Sequence, residues 1–138
     1  MPEHHTTRAH TRTRQDHAFE TAEDYVEAVA DVVDACGVCR VRDLAERFGV
    51  SHVTVVRIVK RLAGEGYLTT EPYRPIELTA KGKRLAKRCR DRHEVVYRFL
   101  LAIGLPERVA ALDSEGIEHH LSPETLARFR KIAEEGRL

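Results

Sequence analysis

Apolar residues recur at three- and four-residue steps through most of this chain, which predicts a mainly helical protein. Tyr25, Val26, Val29, Val32 and Val33 mark a helix over residues 21–36. Thr21 is expected to cap it, with Asp24 three residues on, and Gly37 to stop it. Leu44, Ala45 and Phe48 give the buried face of a short second helix, and Gly49 permits a sharp corner after it. Ser51 is placed as the N-cap of a third helix over residues 52–63. Its expected buried side is Val55, Val56, Ile58, Val59 and Leu62, and its exposed side carries His52, Thr54, Arg57, Lys60 and Arg61. Beyond Gly64 and Gly66 the pattern shortens. Residues 67–70 and 75–78 read as two strands around Glu71-Pro72-Tyr73-Arg74. Thr79 then caps a long helix, basic in its first half and apolar in its second. Helices over residues 106–120 and 122–134 follow, the last with Ser122 as N-cap and Pro123 at its first position.

A short helix, a Gly-containing turn, a helix with a basic and hydroxylated face, and a β-hairpin make a winged helix-turn-helix. The expected fold class is therefore mainly α, a winged helix-turn-helix domain followed by a helical dimerisation region. Residues 1–19 show no periodicity and are expected to form a disordered tail. Residues 20–79 would be the DNA-binding domain, 80–101 a connecting helix and 102–138 the dimerisation region. Val95, Phe99, Leu100, Leu105, Val109, Leu112, Leu121, Leu126 and Ile132 are more apolar positions than a thin helical layer needs for its own core, which points to a hydrophobic homodimer interface.

Composition narrows the setting. No apolar run is long enough to span a bilayer, and residues 1–17 hold no signal-peptide core. Three cysteines, Cys36, Cys39 and Cys89, are an odd count in a chain without export features, so reduced thiols and a cytoplasmic location are expected. Cys36-Gly37-Val38-Cys39 is a C-x-x-C, but no second ligand pair at zinc spacing and no βαβ context accompany it.

The formal net charge of +1 conceals an asymmetry. Residues 1–39 carry 3 basic against 8 acidic side chains, residues 40–92 carry 14 against 6, and residues 93–138 carry 6 against 8. The basic middle block contains the helix-turn-helix and the wing, where a phosphate backbone would lie. The DNA contacts expected there are Ser51, His52, Thr54, Arg57 and Lys60 on the third helix, with Tyr73 and Arg74 on the wing. The expected partner is double-stranded operator DNA, with no membrane and no organic cofactor expected.

The acidic flanks hold a second chemistry. Glu115, Glu118 and His119 stand at i, i+3 and i+4 and can converge on one helical face. Asp24 and Glu27 stand at i, i+3, and His93 lies on the long helix. Taken alone, each set could be a solvated polar face. Together, four carboxylates and two imidazoles form a hard, oxygen-rich donor set that suits Mn(II) or Fe(II) better than a thiol-preferring metal. His120 points about 100° around the helix from His119 and is expected to play a structural or surface role.

Glu23-Asp24-Tyr25-Val26-Glu27, Val50-Ser51-His52-Val53-Thr54-Val55, Leu78-Thr79-Ala80-Lys81-Gly82, Arg92-His93-Glu94 and Glu115-Gly116-Ile117-Glu118-His119-His120 together resemble the manganese-responsive branch of the diphtheria toxin repressor superfamily. The resemblance runs from about Thr21 to the C-terminus. It implies a homodimer binding Mn(II), two ions per subunit, through Asp24, Glu27, His93, Glu115, Glu118 and His119. The iron-responsive branch has Met and Cys where this chain has Asp24 and Glu115, so carboxylates at both positions imply manganese. The implied function is a Mn(II)-dependent regulator repressing manganese uptake genes, and not an enzyme. Two other readings stand beside it. One is a metal-independent winged-helix DNA binder. The other is a di-metal carboxylate enzyme, which lacks a second Glu-x-x-His.

Overall fold

The computed structural model describes the backbone of residues 2–136 and the side chains of residues 17–136. It contains six α-helices and a two-stranded sheet: α1 (Pro2–Cys36), α2 (Val41–Phe48), α3 (His52–Gly64), β1 (Leu68–Thr69), β2 (Glu77–Leu78), α4 (Ala80–Ala102), α5 (Glu107–Ile117) and α6 (Pro123–Glu135), with a 3-10 turn at Glu118–His120 between the last two. The chain divides into two compact units, Met1–Ala86 and Lys87–Leu138, and the boundary falls within α4.

In the first unit helical backbone begins at Pro2, where the pattern placed a disordered tail over residues 1–19 and a helix start at Thr21. Proline costs nothing in a first helical turn, and neither Gly nor Pro interrupts the chain again before Gly37. Thr21 is accordingly not a cap. Its hydroxyl donates to the His17 carbonyl one turn back at 2.9 Å. The side chains of residues 1–16, among them His4, His5 and His10, lie outside the described residues.

The helix-turn-helix is closed by local chemistry. The Arg40 amide donates to the Asp43 carboxylate at 2.8 Å, which starts α2. Gly49 ends α2 in the left-handed conformation, φ 64°. The Ser51 hydroxyl accepts from the Thr54 amide at 3.1 Å and starts α3. Leu44, Ala45, Val55, Val59 and Leu62 join Ala22, Tyr25, Ala28, Val29 and Val32 of α1 in one buried cluster, and Tyr25 stacks on Phe48 at 4.5 Å.

The wing is shorter than the pattern implied but has an additional partner. β1 and β2 pair antiparallel, Leu68 with Leu78 and Thr69 with Glu77, and Ile76 makes a further bridge to Cys39. That bridge links the wing to the segment before α2, a non-local pairing that no sequence period reports. Thr79 caps α4 as expected: its hydroxyl accepts from the Gly82 amide at 3.1 Å and donates to the Gly66 carbonyl at 2.6 Å. Gly82 itself is required. A Cβ there would lie 1.9 Å from the Tyr67 carbonyl oxygen.

In the second unit, Val96, Leu100 and Ala110 form the buried centre, and Phe99 stacks on Phe129 at 3.7 Å. Ser122 caps α6 by accepting from the Thr125 amide at 3.2 Å, with Pro123 at its first position. The helix expected over residues 106–120 is shorter. α5 ends at Ile117, and residues 118–120 tighten into a 3-10 turn. Such a turn satisfies carbonyls that an α-helix end leaves open. Among the described residues, no helix is long and apolar enough to cross a membrane.

Candidate nucleic-acid interface and metal centre

The exposed side of α3 is shaped by what its opposite side must bury. Val55, Val59 and Leu62 point into the core, so His52, Arg57 and Lys60 face solvent. Ser51 and Thr54 are less available than their hydroxyls suggested, because the Ser51 hydroxyl donates to the Thr54 hydroxyl at 2.9 Å within the cap. Val56 was placed on the buried side and is instead exposed, and Val53 is 79% exposed. Both were missed as surface positions. Val53 falls off the stripe through Val55, Val59 and Leu62, and that offset was its available signal.

A groove of about 480 Å³ separates α3 from the wing. Arg40, Arg42, His52, Lys60 and Arg74 line it, with Glu71 as its one carboxylate. Arg40 and Arg42 did not stand out in the sequence, because their approach to the wing depends on the Cys39–Ile76 bridge. At the wing tip, the Arg74 amide donates to the Glu71 carbonyl at 3.1 Å. Tyr73 occupies the third place of that turn at φ 66° and is fully exposed. With Pro72 before it, this is the position where Gly or Asn is normally required. Such backbone conformations concentrate at functional segments. The Arg74 guanidinium lies 3.4 Å from the Glu71 carboxylate.

The candidate metal ligands fall in both units. In the first, Asp24 and Glu27 are half-buried on α1, and the neighbouring Glu23 is fully buried, which nothing in the sequence had signalled. In the second, His93 is half-buried on α4. The three residues expected on one helical face are treated unequally. Glu115 is exposed in the last turn of α5, whereas Glu118 is buried at 2% exposure in the 3-10 turn. The structure does bring Glu118 and His119 together, with His119 Nε2 3.4 Å from Glu118 Oε1 and both side chains almost inaccessible. His120 is exposed. Arg92 lies beside one oxygen of this buried carboxylate, Nε 3.7 Å from Oε2, and the other oxygen and the imidazole are donors that suit a divalent ion. The donor set therefore fits Mn(II).

The cysteines form no disulfide. Cys36 is exposed and Cys39 buried. Burial, followed by the nearby Asp43 carboxylate, pushes the Cys39 thiol up to about 11. A thiol held protonated is a poor ligand and a poor nucleophile.

Two family models cover the chain. Residues 17–76 match the iron-dependent repressor N-terminal DNA-binding domain, and residues 79–135 match the iron-dependent repressor metal-binding and dimerisation domain. The chain belongs to the iron-dependent repressor family. A transcriptional regulator MntR from Escherichia coli is 44% identical over 119 residues, covering 86% of this chain and 77% of the relative. An HTH-type transcriptional regulator MntR from Bacillus velezensis is 39% identical over 112 residues, covering 81% and 79%. A solved manganese-dependent transcriptional repressor in complex with manganese superposes with a TM-score of 0.68 at 26% identity, covering 81% of this chain and 52% of that one. The chain thus spans about half the length of that solved structure. Family membership makes the protein a DNA-binding transcriptional regulator and not an enzyme.

Proposed function

We propose that the protein is a Mn(II)-dependent repressor that binds operator DNA as a homodimer and shuts off manganese uptake genes. The observation that carries the metal half is the buried Glu118–His119 pair, donor atoms 3.4 Å apart, inside the segment matching a metal-binding domain. His93, Glu115, Asp24 and Glu27 supply the remaining donors, for two ions per subunit. Carboxylates at Asp24 and Glu115 favour Mn(II) over softer ions. The relatives named as manganese regulators support the same choice of metal. The bound ions supply positive charge that offsets the four carboxylates.

The DNA half rests on α3 and the wing. Placed in a major groove, α3 presents His52, Val53 and Arg57 to base edges, with Ser51 and Thr54 beside them. Val53 and Val56 offer methyl groups that suit thymine methyls. Lys60, Arg74 and the groove arginines neutralise phosphates, and Tyr73 projects from the wing toward the backbone. A regulator of this kind acts in the cytoplasm.

Operator binding measured in Mn(II) and in chelator tests the proposal. Mn(II) is expected to tighten binding about 5–150-fold, and Glu118→Ala or His119→Ala to abolish the difference. Equal binding in Mn(II) and chelator would return the metal-independent reading.

A further inference from the structure

We propose that Arg92 is the built-in counter-ion of Glu118, and that its competition with the incoming metal sets the concentration at which the protein responds. This rests on Glu118 being a metal ligand, as proposed above. Arg92 lies on α4 one residue before His93, and its Nε is 3.7 Å from Glu118 Oε2. The Arg92 side chain is 23% exposed and that of Glu118 only 2%. The guanidinium is also aimed by a second contact, since its Nη2 donates to the buried Cys89 sulfur at 3.7 Å, one turn back on α4. The two carboxylate oxygens of Glu118 therefore face different partners: Oε2 faces Arg92, and Oε1 faces His119 Nε2 at 3.4 Å.

A carboxylate this buried needs a positive charge nearby, and breaking such a pair from one side is strongly destabilising. Arginine does not shed its proton in proteins, so Arg92 supplies that charge at any working pH. In the metal-free protein it holds the Glu118 carboxylate in place beside His119. The same charge then opposes a divalent ion arriving at the same carboxylate. The penalty is electrostatic and falls on every divalent ion alike. Arg92 would set the threshold of the sensor, while the donor atoms set its selectivity. A regulator with a high threshold is not switched on by trace metal, including ions that outrank Mn(II) in the divalent affinity series.

The test uses the metal-free full chain, titrated with Mn(II) and separately with Co(II) by calorimetry in the absence of DNA. Removing the charge in R92Q is expected to tighten both metals by roughly tenfold. R92K, which keeps a positive charge at this position, should bind like the parent. The metal-free melting temperature should fall in R92Q and recover in R92Q/E118Q, where neither charge remains. Unchanged or weaker Mn(II) binding in R92Q would overturn the proposal, as would equal tightening in R92K. Should R92Q fail to fold, a double variant that also fails to fold would overturn the counter-ion role. Mn(II) binding by the parent that is insensitive to E118Q would overturn the metal-ligand reading and the threshold with it. The recovery of melting temperature in the double variant is scored separately from that outcome.

Discussion

Among the described residues the first unit buries thirteen side chains in one cluster, from Ala22 to Ile76, whereas a cluster of the second holds three, Val96, Leu100 and Ala110. The first is also laced by specific local bonds: the Asp43 and Ser51 caps, and Thr79 bridging Gly66 and Gly82. Both units leave large apolar side chains at the surface: Val53, Val56 and Tyr73 stand on α3 and the wing of the first, whereas Ile103, Leu112 (71% exposed) and Ile117 stand on the second. None of the residues of α6 is buried. A helical unit of this size cannot cover its own apolar positions, and a second copy is the natural cover. The difference separates two jobs. The DNA-binding unit is closed by its own core and its own caps. The second unit belongs to the segment that matches a metal-binding and dimerisation domain.

That contrast can be broken most severely at Leu112. Leu112→Asp places a charge on the exposed apolar face and is expected to weaken dimerisation by about 2–4 kcal/mol, the size of an interface hot spot. Sedimentation should show monomer at micromolar concentration while far-UV circular dichroism is unchanged. A variant that remains dimeric would move the interface elsewhere.

Gly82→Ala attacks the DNA-binding unit instead. The added methyl would sit 1.9 Å from the Tyr67 carbonyl oxygen, so backbone must shift where α4 meets the wing. A loss of about 1–3 kcal/mol is expected, read as a lower thermal midpoint with dimerisation retained. Wild-type stability would mean that the contact is not close in solution.

The surface of α3 tolerates change without such cost. Arg57→Ala is expected to weaken operator binding by about 1–3 kcal/mol and to relax preference at one base position, leaving stability as it was. Lys60→Ala, assigned to phosphate, should cost less and lower the salt dependence of binding by about one ion. Identical salt slopes for Lys60→Ala and the parent would remove Lys60 from the backbone contact.

Much of this was legible because local chemistry decides local structure. Ser51, Thr79 and Ser122 announce helix starts, and each accepts the expected backbone amide. The stripe through Val55, Val59 and Leu62 fixes which side of α3 is free. What escaped depended on distant residues. The start of α1 was misplaced because its first turns carry no apolar period, although nothing in them forbids a helix. Val56 looked buried because α3 holds more apolar residues than its core face can use. The Cys39–Ile76 bridge, which brings Arg40 and Arg42 toward the wing, leaves no periodic trace. Of the candidate metal site, residue types and spacing were readable. The 3-10 turn that separates buried Glu118 from exposed Glu115 was not, because helical spacing presumes that the helix continues.

The central claim is that metal binding and operator binding share one free energy, because the proposed ligands are spread over both units while the DNA surface lies in one. Coupling is reciprocal by thermodynamic necessity. The most direct measurement is the Mn(II) affinity of the dimer, free and saturated with operator DNA. The account predicts that operator tightens Mn(II) binding by the same factor, about 5–150-fold, by which Mn(II) tightens operator binding. Equal Mn(II) affinity with and without operator would contradict it, even if the metal binds.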